Sequence, residues 1–150
     1  MDDVSQNRFP GRLHHQVPGW VTAGAVFHIR VRAVGTVLTE PEIAEAMLES
    51  VRFYHETGRW HAVLVLLMPD HLHALLAFPP DREMSKGIGA WKAFQAKELG
   101  VVWQSGFFDH RIRREEELAT TWDYIRRNPV VKKLCKTEED WRWCWSSSRG

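Results

Sequence analysis

Apolar and polar positions alternate from Val21 to Val34, with Phe27, Ile29, Val31 and Ala33 on one face and His28, Arg30 and Arg32 on the other. That is the pattern of a half-buried strand with a basic exposed face. The period then lengthens. Ile43, Met47, Val51 and Tyr54, with Leu48 beside them, fall at helical spacing, behind a capping-box pattern at Thr39-Glu40-Pro41-Glu42 and ahead of Gly58. Two apolar runs follow, RWHAVLVLL and HLHALLAF, and the Met68-Pro69-Asp70 turn between them predicts a β-hairpin. Residues 84–99 read as a second helix with Ile88, Trp91, Phe94 and Leu99 inward, Lys86, Lys92 and Lys97 outward, and Gly100 ending it.

VWQSGFFDHRIR is the last predicted strand. Glu115, Glu116 and Glu117 then place acid where a helix dipole favours it, opening a third helix with a core stripe of Leu118, Trp122 and Ile125. This helix is expected to end near Arg127, with Asn128-Pro129 breaking the chain or capping a short new helix, ahead of a helical C-terminal part. The order strand, helix, strand, strand, helix, strand is that of an α+β, ferredoxin-like split βαβ fold. Such a fold is an antiparallel sheet with its helices on one face and the other face open. One domain over residues 1–150 is expected, with an irregular arm over about 1–19, holding His14-His15, and a Trp-rich tail over about 137–150.

Composition adds bounds to this picture. With 150 residues, 44% hydrophobic and 26% charged, the chain is long enough for a core of its own, and no apolar run reaches membrane-spanning length. The polar start of the chain and a content of two cysteines, Cys135 and Cys144, expected as free thiols, point to a cytoplasmic protein. A net charge of +1 does not advertise nucleic-acid binding, so any such contact has to come from local basic patches.

Candidate chemistry centres on MPDHLHALL. His71 and His73 are i and i+2 on a strand, so their imidazoles emerge on one face roughly 7 Å apart along the chain. Two such rings can grip one divalent ion, or can be ordinary sheet histidines. In the third helix Tyr124 and Asn128 stand i and i+4 apart; Tyr124 lies roughly 120° from the core stripe, poorly placed for a core aromatic. Read as bland positions, Tyr124 is a rim tyrosine and Asn128 a helix cap.

Four motifs in this order, GAVFHIRVR, MPDHLHALL, WQSGFFDHRIR and YIRRNPV, followed by a Trp- and Ser-containing tail, resemble those of the REP-associated tyrosine transposases. These are relatives of the single-tyrosine insertion-sequence transposases of the HUH class. The resemblance runs over most of residues 11–147. It implies a ferredoxin-like fold and a divalent cation, Mg²⁺ or Mn²⁺, held by His71 and His73 and completed by Asn128. It further implies Tyr124 as nucleophile, a 5′-phosphotyrosine intermediate, and cleavage and joining of single-stranded DNA, often folded as a REP-like hairpin. Asp70 departs from the pattern, which more often has Asn before the first histidine.

Candidate DNA contacts are Arg30, Arg32, His110, Arg113 and Arg127, joined by Trp143 from the run DWRWCWSSSR, whose indoles could stack on unpaired bases or pack on the core. The strand arginines rank above the lysines of the second helix because they share the expected metal face. A monomer is favoured over a homodimer, nucleoid-associated when DNA-bound. The alternatives are a module on the same scaffold that binds DNA or RNA hairpins without cutting them, and a hydrolase in which water replaces Tyr124.

Overall fold

A computed structural model describes residues 17–147; His14-His15 and most of the expected N-terminal arm lie outside them. The elements are β1 (Val26–Arg32), α1 (Pro41–Glu56), β2 (His61–Leu67), β3 (His71–Ala77), α2 (Met84–Leu99), β4 (Phe108–Arg111), α3 (Glu115–Val131) and β5 (Cys144–Ser146). The strands form one antiparallel sheet in the order β4-β1-β3-β2-β5, so the split βαβ arrangement is present with one extra edge strand.

Each sheet face has its own core. Ile29, Val31, Val65, Leu67, Leu72, Ala74 and Leu76 point to one side, where they bury against Ala44, Met47 and Val51 of α1 and Ile88 and Trp91 of α2. On the other side Leu64, Leu66, Leu75 and Ala77 meet Leu118, Trp122 and Ile125 of α3. The expected helix pair therefore lies on one face, but the second face is not open along its length: the α3 stripe is apolar and has to bury against something, and it covers the β2 end of the sheet. All seven β2 residues are buried as a consequence, which is why that strand reads as a continuous apolar run without alternation.

Several local expectations change for identifiable reasons. The capping box at Thr39 does not form, because α1 starts one residue later, with Glu40 at the N-cap and Pro41 at the first helical position. On α2 the inward positions are Ile88, Trp91 and Gln95, while Phe94 is exposed. Gln95 can face the core because its amide donates to Ser50 Oγ at 2.9 Å, beside Trp91 Nε1 donating to the same oxygen at 3.0 Å. Lys92 is not a free surface cation either: its Nζ donates to the carbonyls of Gln104 and Gly106, pinning the loop that leads into β4.

The helix α3 runs through Asn128-Pro129 to Val131, one turn beyond the expected stop. Pro129 cannot donate a hydrogen bond back to Ile125, and the helix runs on for only two residues beyond it. The true stop is Lys133 at φ 63°, with Lys133 N–H donating to Val130 O and Leu134 N–H to Pro129 O, the two bonds of a Schellman closure. No disulfide joins Cys135 and Cys144.

The tail folds back as an edge strand rather than continuing as helix. Leu67 N–H donates to Trp143 O, Trp141 Nε1–H donates to Leu67 O, and the Trp143 ring is 8% exposed within the α1-side core. Trp143 is therefore core, not a platform for bases; an indole of that size stabilises more by burial than by waiting in water for a ligand. Trp143→Ala should cost about 3 kcal/mol of unfolding free energy, read as a lower urea midpoint at unchanged slope.

Candidate active site

The register of β1 on β3 assembles the site. Arg32 lies opposite His71, Arg30 opposite His73 and His28 opposite Leu75, and residues directly opposite in an antiparallel pair share a face. His28, Arg30, Arg32, His71 and His73 thus point to the α3 side. On the outer flank β4 places His110 opposite His28 and Phe108 opposite Arg30, extending the same face.

The His71 and His73 rings sit 5.0 Å apart, centre to centre. Tyr124 comes down from α3 onto this group, its ring 5.9 Å from His73 and 6.5 Å from His28, nearly perpendicular to the first. It is nevertheless 56% exposed, so a large ligand can reach the phenol from solvent. On the same helix Thr120, Asp123, Tyr124, Arg127, Asn128 and Val131, with Lys132 just beyond its end, line an open groove of about 520 Å³.

Both histidines of the pair are tethered through Nδ1. His71 Nδ1 is 2.7 Å from Asp70 Oδ1, and His73 Nδ1 is 3.0 Å from His28 Nε2. Burial keeps all three rings neutral: His73 is pulled down to about 3 by desolvation and then by His28 and His71, and His28 to about 4 by desolvation and then by Arg30 and His110. His71 is also lowered, by burial first, with Asp70 partly opposing, while the Asp70 carboxyl is held down by its hydrogen bond to His71. A neutral imidazole keeps the lone pair that a metal requires.

The donor set fits a divalent ion. Among the described residues no three His, Cys, Asp or Glu side chains gather as a cation site, so a third protein donor beside His71 and His73 has to be of another kind. Asn128 qualifies in type: it is 8% exposed and its Oδ1 has no hydrogen-bond partner among the described residues. It is a side chain inside α3, in its last turn and one turn after Tyr124, not the cap expected from sequence. Two imidazole nitrogens and amide oxygen suit Mg²⁺, Mn²⁺ or Zn²⁺.

The basic candidates divide. The Arg30 guanidinium lies 4.8 Å over the Phe108 ring on the site's face, and Arg32 is exposed beside it. Arg113 is exposed, and its backbone N–H donates to Glu117 Oε1. His110 is engaged with Glu117 Oε2 at 2.6 Å, and Arg127 stands 3.7 Å from the buried Glu138 carboxylate, so neither is uncommitted. His28 is the member of this site that sequence reasoning left without a role. Its signal was present: alternation put it on the same face as Arg30 and Arg32, two residues from a strand position opposite the histidine pair.

No protein-family model matches the chain. The REP-associated tyrosine transposase of Escherichia coli K12 is 29% identical over 82 residues, covering 51% of this chain and 48% of that protein. A protein of Haemophilus influenzae provisionally carrying the same name is 28% identical over 100 residues, covering 55% and 56%. The chain is similar in sequence to REP-associated tyrosine transposases over about half of its length. It spans about half the length of the curated relatives it matches.

Two solved structures share the fold. A REP-associated tyrosine transposase solved bound to a REP hairpin superposes with a TM-score of 0.70 at 20% identity, over 87% of this chain and 82% of that one. A protein of Deinococcus radiodurans R1 described as a transposase gives 0.54 at 19% identity, over 76% and 97%. No helix of the described residues is long and apolar enough to cross a membrane.

The buried neutral histidines set a pH dependence. Below pH 6.5 the unfolded chain takes up protons that His28 and His73 refuse in the fold until about pH 4 and about pH 3. Their contribution to stability is present above pH 6.5 and is lost as pH falls toward 4, on the order of 1 kcal/mol per pH unit for each refused proton. Urea midpoints of the metal-free protein should fall from pH 7 to pH 4.5, and more gently in His28→Phe.

Proposed function

We propose that this chain is a metal-dependent enzyme that nicks and rejoins single-stranded DNA, recognised as a REP-like hairpin, through a 5′-phosphotyrosine on Tyr124. The observation that carries this reading is the Tyr124 ring packed 5.9 Å from His73 while more than half exposed. The phenol is thereby held against the neutral His73 and His28 rings and is open to solvent at the same time.

In this reading His71, His73 and the Asn128 amide oxygen hold Mg²⁺ or Mn²⁺, which supplies Lewis-acid polarisation of a phosphate oxygen. Tyr124 Oη bonds to the phosphorus, the bond from phosphorus to the 3′ oxygen breaks, and the 3′ oxygen leaves as a hydroxyl after taking a proton. The phenol gives up its own proton to solvent or a neighbouring base, since its reference pKa near 10 makes the neutral form a weak nucleophile. One phosphodiester is exchanged for another, so a 3′-hydroxyl can reverse the step and join strands. Arg30, Arg32 and Arg113 contact phosphates near the cut, with His110 and Arg127 doing so from their carboxylate partners; the near-neutral net charge leaves this work to the local patch. The chain acts as a monomer, its own helix presenting the phenol to its own histidines, with nucleoid association following from DNA binding.

The test is a labelled single-stranded hairpin incubated with Mn²⁺ and run on a denaturing gel. A covalent protein–DNA band that drops at least about a hundredfold in Tyr124→Phe and in His71→Ala is expected. Tight binding with no cleavage would make the chain a hairpin-binding module instead. Cleavage that survives in Tyr124→Phe would make water the nucleophile.

A further inference from the structure

We propose that His28 and Asp70 are positioning residues, each holding one histidine of the β3 pair by its Nδ1 so that the Nε2 lone pairs of His71 and His73 are kept for a divalent cation. This rests on the cation reading above and extends it to two side chains outside the donor set.

A neutral imidazole has one N–H and one lone pair, so a ring that ligates through Nε2 must carry its proton on Nδ1, and that N–H needs an acceptor. At His71 the acceptor is Asp70 Oδ1, 2.7 Å away. A carboxylate only accepts, so the tautomer of His71 is fixed. At His73 the partner is another imidazole, His28 Nε2 at 3.0 Å. Two arrangements satisfy that contact, and only one leaves His73 able to ligate: His28 accepts at Nε2 and carries its own proton on Nδ1.

The same nitrogen is engaged in both rings, although the two acceptors come from different places in the fold. Asp70 is the last turn residue before β3, whereas His28 lies on β1, two residues before Arg30, which is opposite His73. Exposure separates the two tethers. Asp70 is exposed, so water can substitute for its carboxylate when that is removed. His73 is 2% exposed and enclosed by His28, His71 and Tyr124, so nothing replaces a lost acceptor there. The bland alternative for His28 is packing, since its ring also meets Phe108 edge-on at 5.8 Å. His28→Phe keeps that packing and removes the acceptor; His28→Gln restores an acceptor oxygen near the Nε2 position.

The experiment uses the full chain. Long-range ¹H–¹⁵N spectra of the metal-free protein report the tautomer of each imidazole, and calorimetric titration with Mn²⁺ reports affinity. Wild type should show Nδ1–H at both His71 and His73. Mn²⁺ affinity should fall about 10- to 100-fold in His28→Phe, by less in Asp70→Ala, and should recover in His28→Gln. An Nε2–H at His73 in wild type, or unchanged Mn²⁺ binding in a folded His28→Phe, overturns the proposal. If His28→Phe fails to fold, the wild-type tautomers and the His28→Gln titration decide. If wild type binds no Mn²⁺, the cation reading fails while the spectra still say whether His28 accepts from His73.

Discussion

The pairing of β1 with β3 fixes what this molecule can do, because side chains in a strand alternate faces with a period of two. With Arg30 opposite His73, the basic face of β1 and the histidine face of β3 coincide under α3. A slip by one residue would send His28, Arg30 and Arg32 into the α1–α2 core and bring Ile29 and Val31 out beside the imidazoles. Two forces pin the register. Ile29 and Val31 bury against the first pair of helices, and the two-sided burial of β2 and β3 leaves no exposed face to which the hairpin could rotate.

Desolvation then sets the chemistry. Imidazoles in water would be partly charged near neutrality, whereas rings enclosed by strands, Tyr124 and one another are neutral well below that range. Burying polar groups has to be compensated by hydrogen bonds, and the compensation is what orders the site: Asp70 to His71, His28 to His73. The α3 side of the sheet is accordingly divided. Its β2 end is apolar and closed by Leu118, Trp122 and Ile125, and its β1–β4 end is polar, with Tyr124 at the boundary.

Much of this was legible in the chain. Alternation, the hairpin turn and the acidic start of α3 placed the main elements, and the offset of Tyr124 from the Leu118-Trp122-Ile125 stripe marked it as something other than core. What escaped depended on contacts between segments far apart in sequence. Gln95 could be seen as an inward residue only with Ser50 of α1 and Trp91 beside it. Asn128 looked like a cap because Asn-Pro usually interrupts a helix, but α3 continues through the proline at the loss of one hydrogen bond, and the turn after it is closed by Lys133. Trp143 reads equally well as ligand platform or core from composition; the deciding fact is the backbone pairing of the tail with Leu67, 76 residues earlier. His28 was visible as a polar strand residue, and its partner was not, because that required the register.

The sheet is also built to stop at its own borders. Its three inner strands have seven residues each, and one of them, HAVLVLL, is an uncharged, largely aliphatic segment of the kind that stacks with copies of itself. The outer strands have four and three residues, one of them polar and charged throughout after its first position. Such stubs offer too few free amides and carbonyls to template another chain. The histidine-bearing half of the sheet is therefore bordered by a four-residue strand whose short ladder leaves a second copy little to extend.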